Sequence, residues 1–425
     1  MYLDEIIQSQ KRGEARGIAS ICSAHPWVLR ETLKASKTTE AHPLIEATCN
    51  QVNQFGGYTG MRPQDFVNCV RRIAEGNAFP FENIILGGDH LGPNVWQNEP
   101  AESAMQKAEV LVSDYVKASC VKIHLDCSMR LGDDPPGALD VEVSARRAAR
   151  LAKVAEAAAM AEADSAPALC YVIGTEVPLP GGALKGEENV SLTPVESARQ
   201  TIEVTRQAFV RNGLESAWER VIALVVQPGI EFGDDFVLPY KPDYAKELSL
   251  LIENQSMIYE AHSTDYQTRE ALRSLVHDHF AILKVGPRLT FAFREAVFAL
   301  AMMEREFVPA EQLSNILQLV EDVMLRSPGH WQKYYRGDAA EQAFKRKFSL
   351  SDRIRYYWAA PQVTAALKKL IENLSAKPIP LSLLSQFAPF QNERIRRGDL
   401  ASTPEAIILD HIQAGLSDYQ AACLR

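Results

Sequence analysis

The stretch NIILGGDHLGPN, Asn83 to Asn94, begins as an apolar run of the kind that forms a buried strand, turns at two glycines, and then sets an acid beside an imidazole, Asp89 and His90. Such a pair at the end of a strand is either an ordinary polar loop or one wall of an active site. Working outward, the pattern recurs. Short β-branched or apolar runs appear as GIASIC from Gly17, PLIEAT from Pro43, NIILGG from Asn83, CVKIHLD from Cys120, LCYVIGT from Leu169, VIALVVQ from Val221, MIYEAH from Met257 and AILKVG from Ala281. Between them lie stretches of helical period such as PQDFVNCVRRIAEG and VEVSARRAARLAKVAEAAAMAEA, and the eighth run is followed by RLTFAFREAVFALAMME. Eight βα units over about 300 residues predict an α/β fold, one closed (β/α)8 TIM barrel spanning residues 1–306. An open doubly wound sheet is the competing layout, but no G-x-G-x-x-G follows the first strand. From residue 307 to 425 the strand runs stop, and amphipathic helix broken by RSPGH, SAKPIPLS and QFAPFQ predicts a helical C-terminal appendage packed on the barrel.

Composition narrows the function classes. The 425 residues are 46% apolar with a net charge of -9, which describes a globular chain with ample core. Its acidic balance and lack of long Lys/Arg runs argue against nucleic acid or an anionic membrane as partner, leaving a small molecule. The N-terminus MYLDEIIQSQKRGEARG has no apolar signal core, and no window approaches the roughly 20 apolar residues of a membrane span, so the expected location is cytoplasmic. Seven scattered cysteines without a C-x-x-C pair indicate neither a disulfide framework nor a thiolate zinc site. A homo-oligomer is compatible with all of this.

In a TIM barrel the active site sits at the carboxyl ends of the strands, so polar residues there need a reason. Nearly every strand supplies one: Glu46, Asn50, Asn53 and Gln54 after the second, Asp89 and His90 after the third, His124 and Asp126 at the fourth, Glu176 after the fifth, Gln227 after the sixth, Glu260, His262 and Asp265 at the seventh, and Lys284 at the eighth. Three imidazoles and several carboxylates on one rim are the donors that a divalent ion of the Zn, Mn, Co or Ni class accepts. A single strand-end His is more often a structural residue than a ligand, and His25 is a weaker candidate than His124. His277 and His279, in VHDHF, have metal-like spacing but precede the eighth strand, at the wrong rim. For a substrate phosphate, the loops after strands seven and eight offer Ser263, Thr264, Gly286 and Arg288, with Asp265 as an orienting or hydroxyl-accepting group. Arg353 and Arg355, in SDRIRYYW, read as a structural staple in preference to a phosphate site.

The motifs LIEATCNQVNQFGGYTG, ILGGDHLGPN, KIHLDCSM, YVIGTEVPLPGG, VVQPGIEF, YEAHSTDYQTR, ILKVGPRLTFAFREA and LSDRIRYYW resemble, nearly end to end, the GatZ/KbaZ family of accessory subunits of class II tagatose-1,6-bisphosphate aldolases. That resemblance implies a phosphorylated ketose as substrate and a class II aldolase subunit as partner. Members are described in three ways: as non-catalytic stabilisers of the aldolase, as tagatose 6-phosphate kinases, and as 4-epimerases of ketohexose 6-phosphates. A kinase needs a triphosphate cradle, and no G-x-x-x-x-G-K-[ST] loop is present. An idle helper has no use for polar groups at almost every strand end. The epimerase reading uses them, by retro-aldol cleavage and re-closure assisted by a divalent metal ion. By resemblance to class II aldolases, Asp89 becomes the acid/base, His90 and His262 metal ligands, and Glu176 a third ligand where those enzymes use a His. Asp126, Glu260 and His124 stand as candidates for a second acid/base group. Glu46, Asn50, Gln54, His124, Gln227, Ser263, Asp265, Lys284, Gly286 and Arg288 are then expected around the substrate.

Overall fold

Residues 2–161, 169–174 and 190–423 are described by the computed structural model. Each of the eight expected runs forms a strand: β1 (Ile18–Cys22), β2 (Leu44–Thr48), β3 (Ile85–Leu91), β4 (Lys122–Leu125), β5 (Cys170–Ile173), β6 (Val221–Val225), β7 (Ile258–Ala261) and β8 (Phe280–Val285). All pairings are parallel, and β1 pairs with both β2 and β8, so the sheet closes into a barrel. The loop after β6 adds a small antiparallel ribbon, Glu231–Phe232 with Val237–Leu238, which the sequence reading did not contain.

Alternation along each strand divides the core in two. Ile21, Ile45, Leu86, Ile123, Tyr171 and Leu283 belong to the outer layer, under the helices. Ile18, Leu44, Ile85, Val172, Ile258 and Ile282 belong to the inner one. Leu3 and Ile6, from the amphipathic N-terminal helix Tyr2–Lys11, join that inner cluster at 1% and 0% exposure. That helix stoppers the amino end of the barrel with apolar side chains. Two residues further along the strands, the inward positions turn polar: Ser20, Glu46, Lys122, Glu260 and Lys284 are all buried.

Seven helices follow β1 to β7 in turn and pack outside the sheet. The eighth place in the ring goes to the last helix of the chain, Pro404–Cys423, which packs against Arg269–His277, Pro26–Thr39 and β1. The helix that follows β8, Pro287–Phe307, packs on that last helix and on Pro361–Ser375. Between these, the short 3-10 helix Arg353–Tyr357 brings Arg355 and Tyr356 to the barrel mouth. Among the described residues no helix is long and apolar enough to cross a membrane.

Candidate active site at the strand ends

On a regular strand Asp89 and His90 would face opposite sides of the sheet. β3 is not regular there. It runs on through the Asp-His pair to Leu91, beyond the expected end at Gly88. Its pairing with β4 passes from Gly88 opposite Ile123 to Leu91 opposite Leu125, so two residues stand against one, a β-bulge. His90 takes up the irregularity with φ 50°, a left-handed conformation that costs an imidazole-bearing residue on the order of 1 kcal/mol or more. Both side chains therefore reach the same cavity. Two glycines make room. A Cβ on Gly87 would lie 2.6 Å from Glu46 Oε1, and one on Gly92 only 1.7 Å from the carbonyl oxygen of Asp126.

Behind the bulge lies an ionic lattice. Lys122 Nζ sits 2.8 Å from Glu46 and 2.6 Å from Glu260, and Lys284 Nζ sits 2.5 Å from Glu46, 2.9 Å from Asp89 and 3.5 Å from Glu260. Lys122 is the functional-region residue that sequence reading missed. Its signal was there in CVKIHLD, where Lys122, His124 and Asp126 share one face at period two. Glu46, Lys122 and Glu260 have no exposure at all, so losing any one would strand a buried charge at a cost of about 3–5 kcal/mol.

The imidazoles stand around a common point. His90 Nδ1 is 2.8 Å from Asp126 Oδ2, which also leaves its Nε2 3.6 Å from Asp89. His262 Nε2 contacts Glu260 at 3.0 Å. His124 Nδ1 is approached both by Asp89 Oδ1 at 2.8 Å and by the backbone N–H of His90 at 3.2 Å, and one nitrogen cannot donate and accept together. The shorter, charge-assisted contact outweighs the other, which puts the proton on Nδ1 and the lone pair on Nε2. That buried Nε2 has no hydrogen-bond partner among the described residues.

Electrostatics separate the groups. Burial alone would raise the Asp89 carboxyl, but His90, Lys284 and the His124 hydrogen bond outweigh it and hold the group well below the usual carboxylate range. Glu260 is treated likewise by Lys122, Lys284 and His262. Burial lowers His90 too, yet Asp89 and Asp126 together raise it overall. At His262 burial prevails and the pKa falls to about 4, so this imidazole is neutral with a lone pair to offer.

These donors fit a divalent cation. Asp89, His124, Glu260 and His262 each present a ligand atom, all within 4.8 Å of one another. Three imidazoles sharing one ion at about 2.1 Å place their ring centroids roughly 5 Å apart. Here the distances are 5.1, 4.9 and 5.2 Å for the pairs of His90, His124 and His262. His124, expected beside the substrate or as an acid/base group, thus stands with His262 among the converging ligand atoms. His90, expected as a ligand, is not one of that group and lies beside it with Nδ1 turned to Asp126, and Glu176 lies outside the described residues.

Above the cluster opens a cavity of about 530 Å³, within the ~300–1,000 Å³ range of small-molecule sites. Asp89, His90, His262 and Lys284 line it, with Asn50, Ser263, Asp265 and Gly286 from the loops. Other expected residues are employed elsewhere. Asp126 stands behind His90 and takes both the N–H and the O–H of Ser128. Glu260 stands behind His262, within the lattice. Gln54 donates to the carbonyl of Lys107, and Gln227 accepts from the N–H groups of Gly229 and Ile230, shaping its own loop. The Arg288 guanidinium lies over the Tyr266 ring and 3.5 Å from Glu295. His277 pairs with Asp278 and His279 with Gln10 of the N-terminal helix, at the opposite end of the barrel from this cavity.

Fold and site together define a (β/α)8 barrel with an acid, imidazole and lysine centre at its strand ends. A fructuronate-tagaturonate epimerase from Cohnella laeviribosi superposes with TM-score 0.51 at 11% identity, covering 95% of this chain and 81% of that one, a likeness of fold alone. A crystal structure of a probable tagatose 6 phosphate kinase from Sinorhizobium meliloti 1021 superposes with TM-score 0.88 at 46% identity, covering 96% of this chain and 100% of that one. The D-tagatose-1,6-bisphosphate aldolase subunit GatZ of Salmonella typhimurium is 52% identical over 421 residues, 99% of each chain. Residues 3–424 match the family described as D-tagatose-1,6-bisphosphate aldolase subunit GatZ/KbaZ-like, and the chain belongs to that family.

Proposed function

We propose that this chain works in the cytoplasm with a tagatose-bisphosphate aldolase, as its GatZ/KbaZ-type subunit, on phosphorylated ketoses. What carries this reading is the 52% identity to a GatZ subunit across 99% of both chains. The site supports a second reading beside it: interconversion of D-tagatose 6-phosphate and D-fructose 6-phosphate by inversion at C4. Its motive is the convergence of Asp89, His124, Glu260 and His262 within 4.8 Å, with Asp89 and His262 lining a cavity of sugar size and the other two buried behind them. A purely structural subunit gains nothing from that costly arrangement. A kinase reading has less behind it, since the sequence lacks a G-x-x-x-x-G-K-[ST] loop.

In the epimerase reading His90, His124 and His262 would hold a divalent cation, with Asp89 or Glu260 as a further donor. An ion held there would supply Lewis acidity toward the carbonyl end of a bound ketose. Asp89, ionised and facing the cavity, takes the proton of the C4 hydroxyl as the C3–C4 bond cleaves. Its low pKa makes it a weak base, so reach rather than basicity recommends it. The aldehyde then turns over its other face, the bond re-forms, and Asp89 or the ammonium of Lys284 beside it returns the proton. Asp126 orients His90 through Nδ1, as carboxylates do for metal-binding imidazoles.

One pair of assays separates the readings. Purified chain with a divalent metal and D-tagatose 6-phosphate, without ATP, is expected to form D-fructose 6-phosphate, and a chelator is expected to stop it. No product there removes the epimerase reading. Added to an aldolase subunit acting on tagatose 1,6-bisphosphate, the chain is expected to raise that subunit's activity or thermal stability, and no effect removes the subunit reading.

A further inference from the structure

In many barrels the substrate phosphate rests on the N–H groups that open the helix after the eighth strand. Here those groups are spoken for. Asp265 Oδ1 accepts from Gly286 N–H at 3.0 Å and from Arg288 N–H at 2.8 Å, and Pro287 between them has no N–H to give. A phosphate arriving there meets a carboxylate. Lys284 serves no better, because Glu46, Asp89 and Glu260 already surround its charge.

Arg355 is different. It lines the same cavity as Asp89, His90 and His262, carried there by the short helix Arg353–Tyr357. Its guanidinium donates to the carbonyls of Ser351 and Asp352 and to the phenol oxygen of Tyr356. The carboxylates of Asp352 and Asp265 act on its charge, but none among the described residues forms an ion pair with it at contact distance. With five N–H donors in a planar fork, it retains capacity toward the cavity. Tyr58, also in the lining, packs edge-on to Tyr356 at 4.4 Å between ring centroids. Burial pushes the Tyr58 phenol up to about 12, against the pull of Arg355, so it remains an O–H donor.

We infer that Arg355, with Tyr58, forms the subsite for the phosphate monoester end of the substrate, over the barrel mouth rather than on the helix after the eighth strand. This rests on the reading of the cavity as a ketose-phosphate site. Titration calorimetry on the full chain, with inorganic phosphate and with D-tagatose 6-phosphate as probes, tests it. Arg355→Gln is expected to weaken both about ten-fold or more, and Tyr58→Phe roughly five-fold. Arg353→Gln serves as the control, because Arg353 lies over the Tyr334 ring and donates to the carbonyl of His330. It is expected to bind within about two-fold of wild type. Thermal melts identify any variant that does not fold, and each of the two test variants is decisive without the other. Wild-type affinity for both probes in either folded variant overturns the subsite, as does failure of the full chain to bind inorganic phosphate and sugar phosphate alike. Binding of inorganic phosphate that depends on Arg355, without binding of tagatose 6-phosphate, supports the subsite and instead overturns the ketose reading.

Discussion

Asp89 meets two demands with one carboxylate, since it both faces the cavity and pairs with Lys284 and His124. Asparagine keeps the shape and cannot take a proton. Asp89→Asn is expected to retain a divalent ion on the three imidazoles while epimerase turnover falls about 100-fold or more. Metal content and rate measured on one preparation decide the role: parallel loss of both reduces Asp89 to a ligand or orienting group. His25 makes a separate prediction. Burial beside the Phe293 ring lowers its pKa to about 3, while an unfolded chain restores the ordinary value of about 6.5. Between those values the unfolded state binds a proton that the native state refuses. His25 therefore contributes stability above pH ~6.5 that is lost as the pH falls toward 3, at up to about 1.4 kcal/mol per pH unit. Urea melts of His25→Gln across this window are expected to show a shallower pH dependence, and an unchanged slope counts against it.

Elements explain why those residues meet. The bulge in β3 turns two consecutive side chains inward, and the close passage of Gly92 beneath the Asp126 carbonyl keeps β3 and β4 together just past it. Gly92 has φ -178°, extended backbone open to any residue, so the objection to a side chain there is purely steric. Gly92→Ala must push the backbone of Asp126 aside. The expected cost is about 1–3 kcal/mol or more, with loosening of the Asp126–His90 contact. Chemical denaturation reads the first effect and metal affinity the second; a variant with wild-type values in both shows that the strand can yield freely. Asp126, Gly92 and His90 act here as one device spread over two strands.

At the scale of the molecule, the last helix is part of the barrel's ring. Ile407, Ile408, Ile412, Leu416 and Tyr419 are buried, and at about 2 kcal/mol each they contribute roughly 10 kcal/mol, comparable to the whole stability of an ordinary domain. Tyr419 also donates to the carbonyl of Thr264, next to the His262 loop, and Gly17 at the foot of β1 donates to the carbonyl of Cys423. The full chain is expected to unfold in a single transition, and a chain ended at Ser402 is expected to lose cooperative folding. Calorimetry checks both; a truncated chain melting within a few degrees of the full one would show that the C-terminal region is a removable addition.

The sequence alone determined the eight strands, their alternation with helices and the rim on which chemistry gathers, because these depend on local periodicity and on the polarity of strand ends. It also determined the family, through motifs spread over the whole chain. Tertiary structure alone decided which polar residues share a point. The bulge that aims Asp89 and His90 together, the burial of Lys122 between Glu46 and Glu260, and the seating of Arg355 over the mouth each depend on residues 30 to 300 positions apart. Gln54 and Arg288 carried polar groups at the same rim, yet their partners lay in a neighbouring helix and loop, Lys107 and Tyr266. Hydrogen-bond partners are fixed by distance in space, and periodicity along the chain carries no record of it.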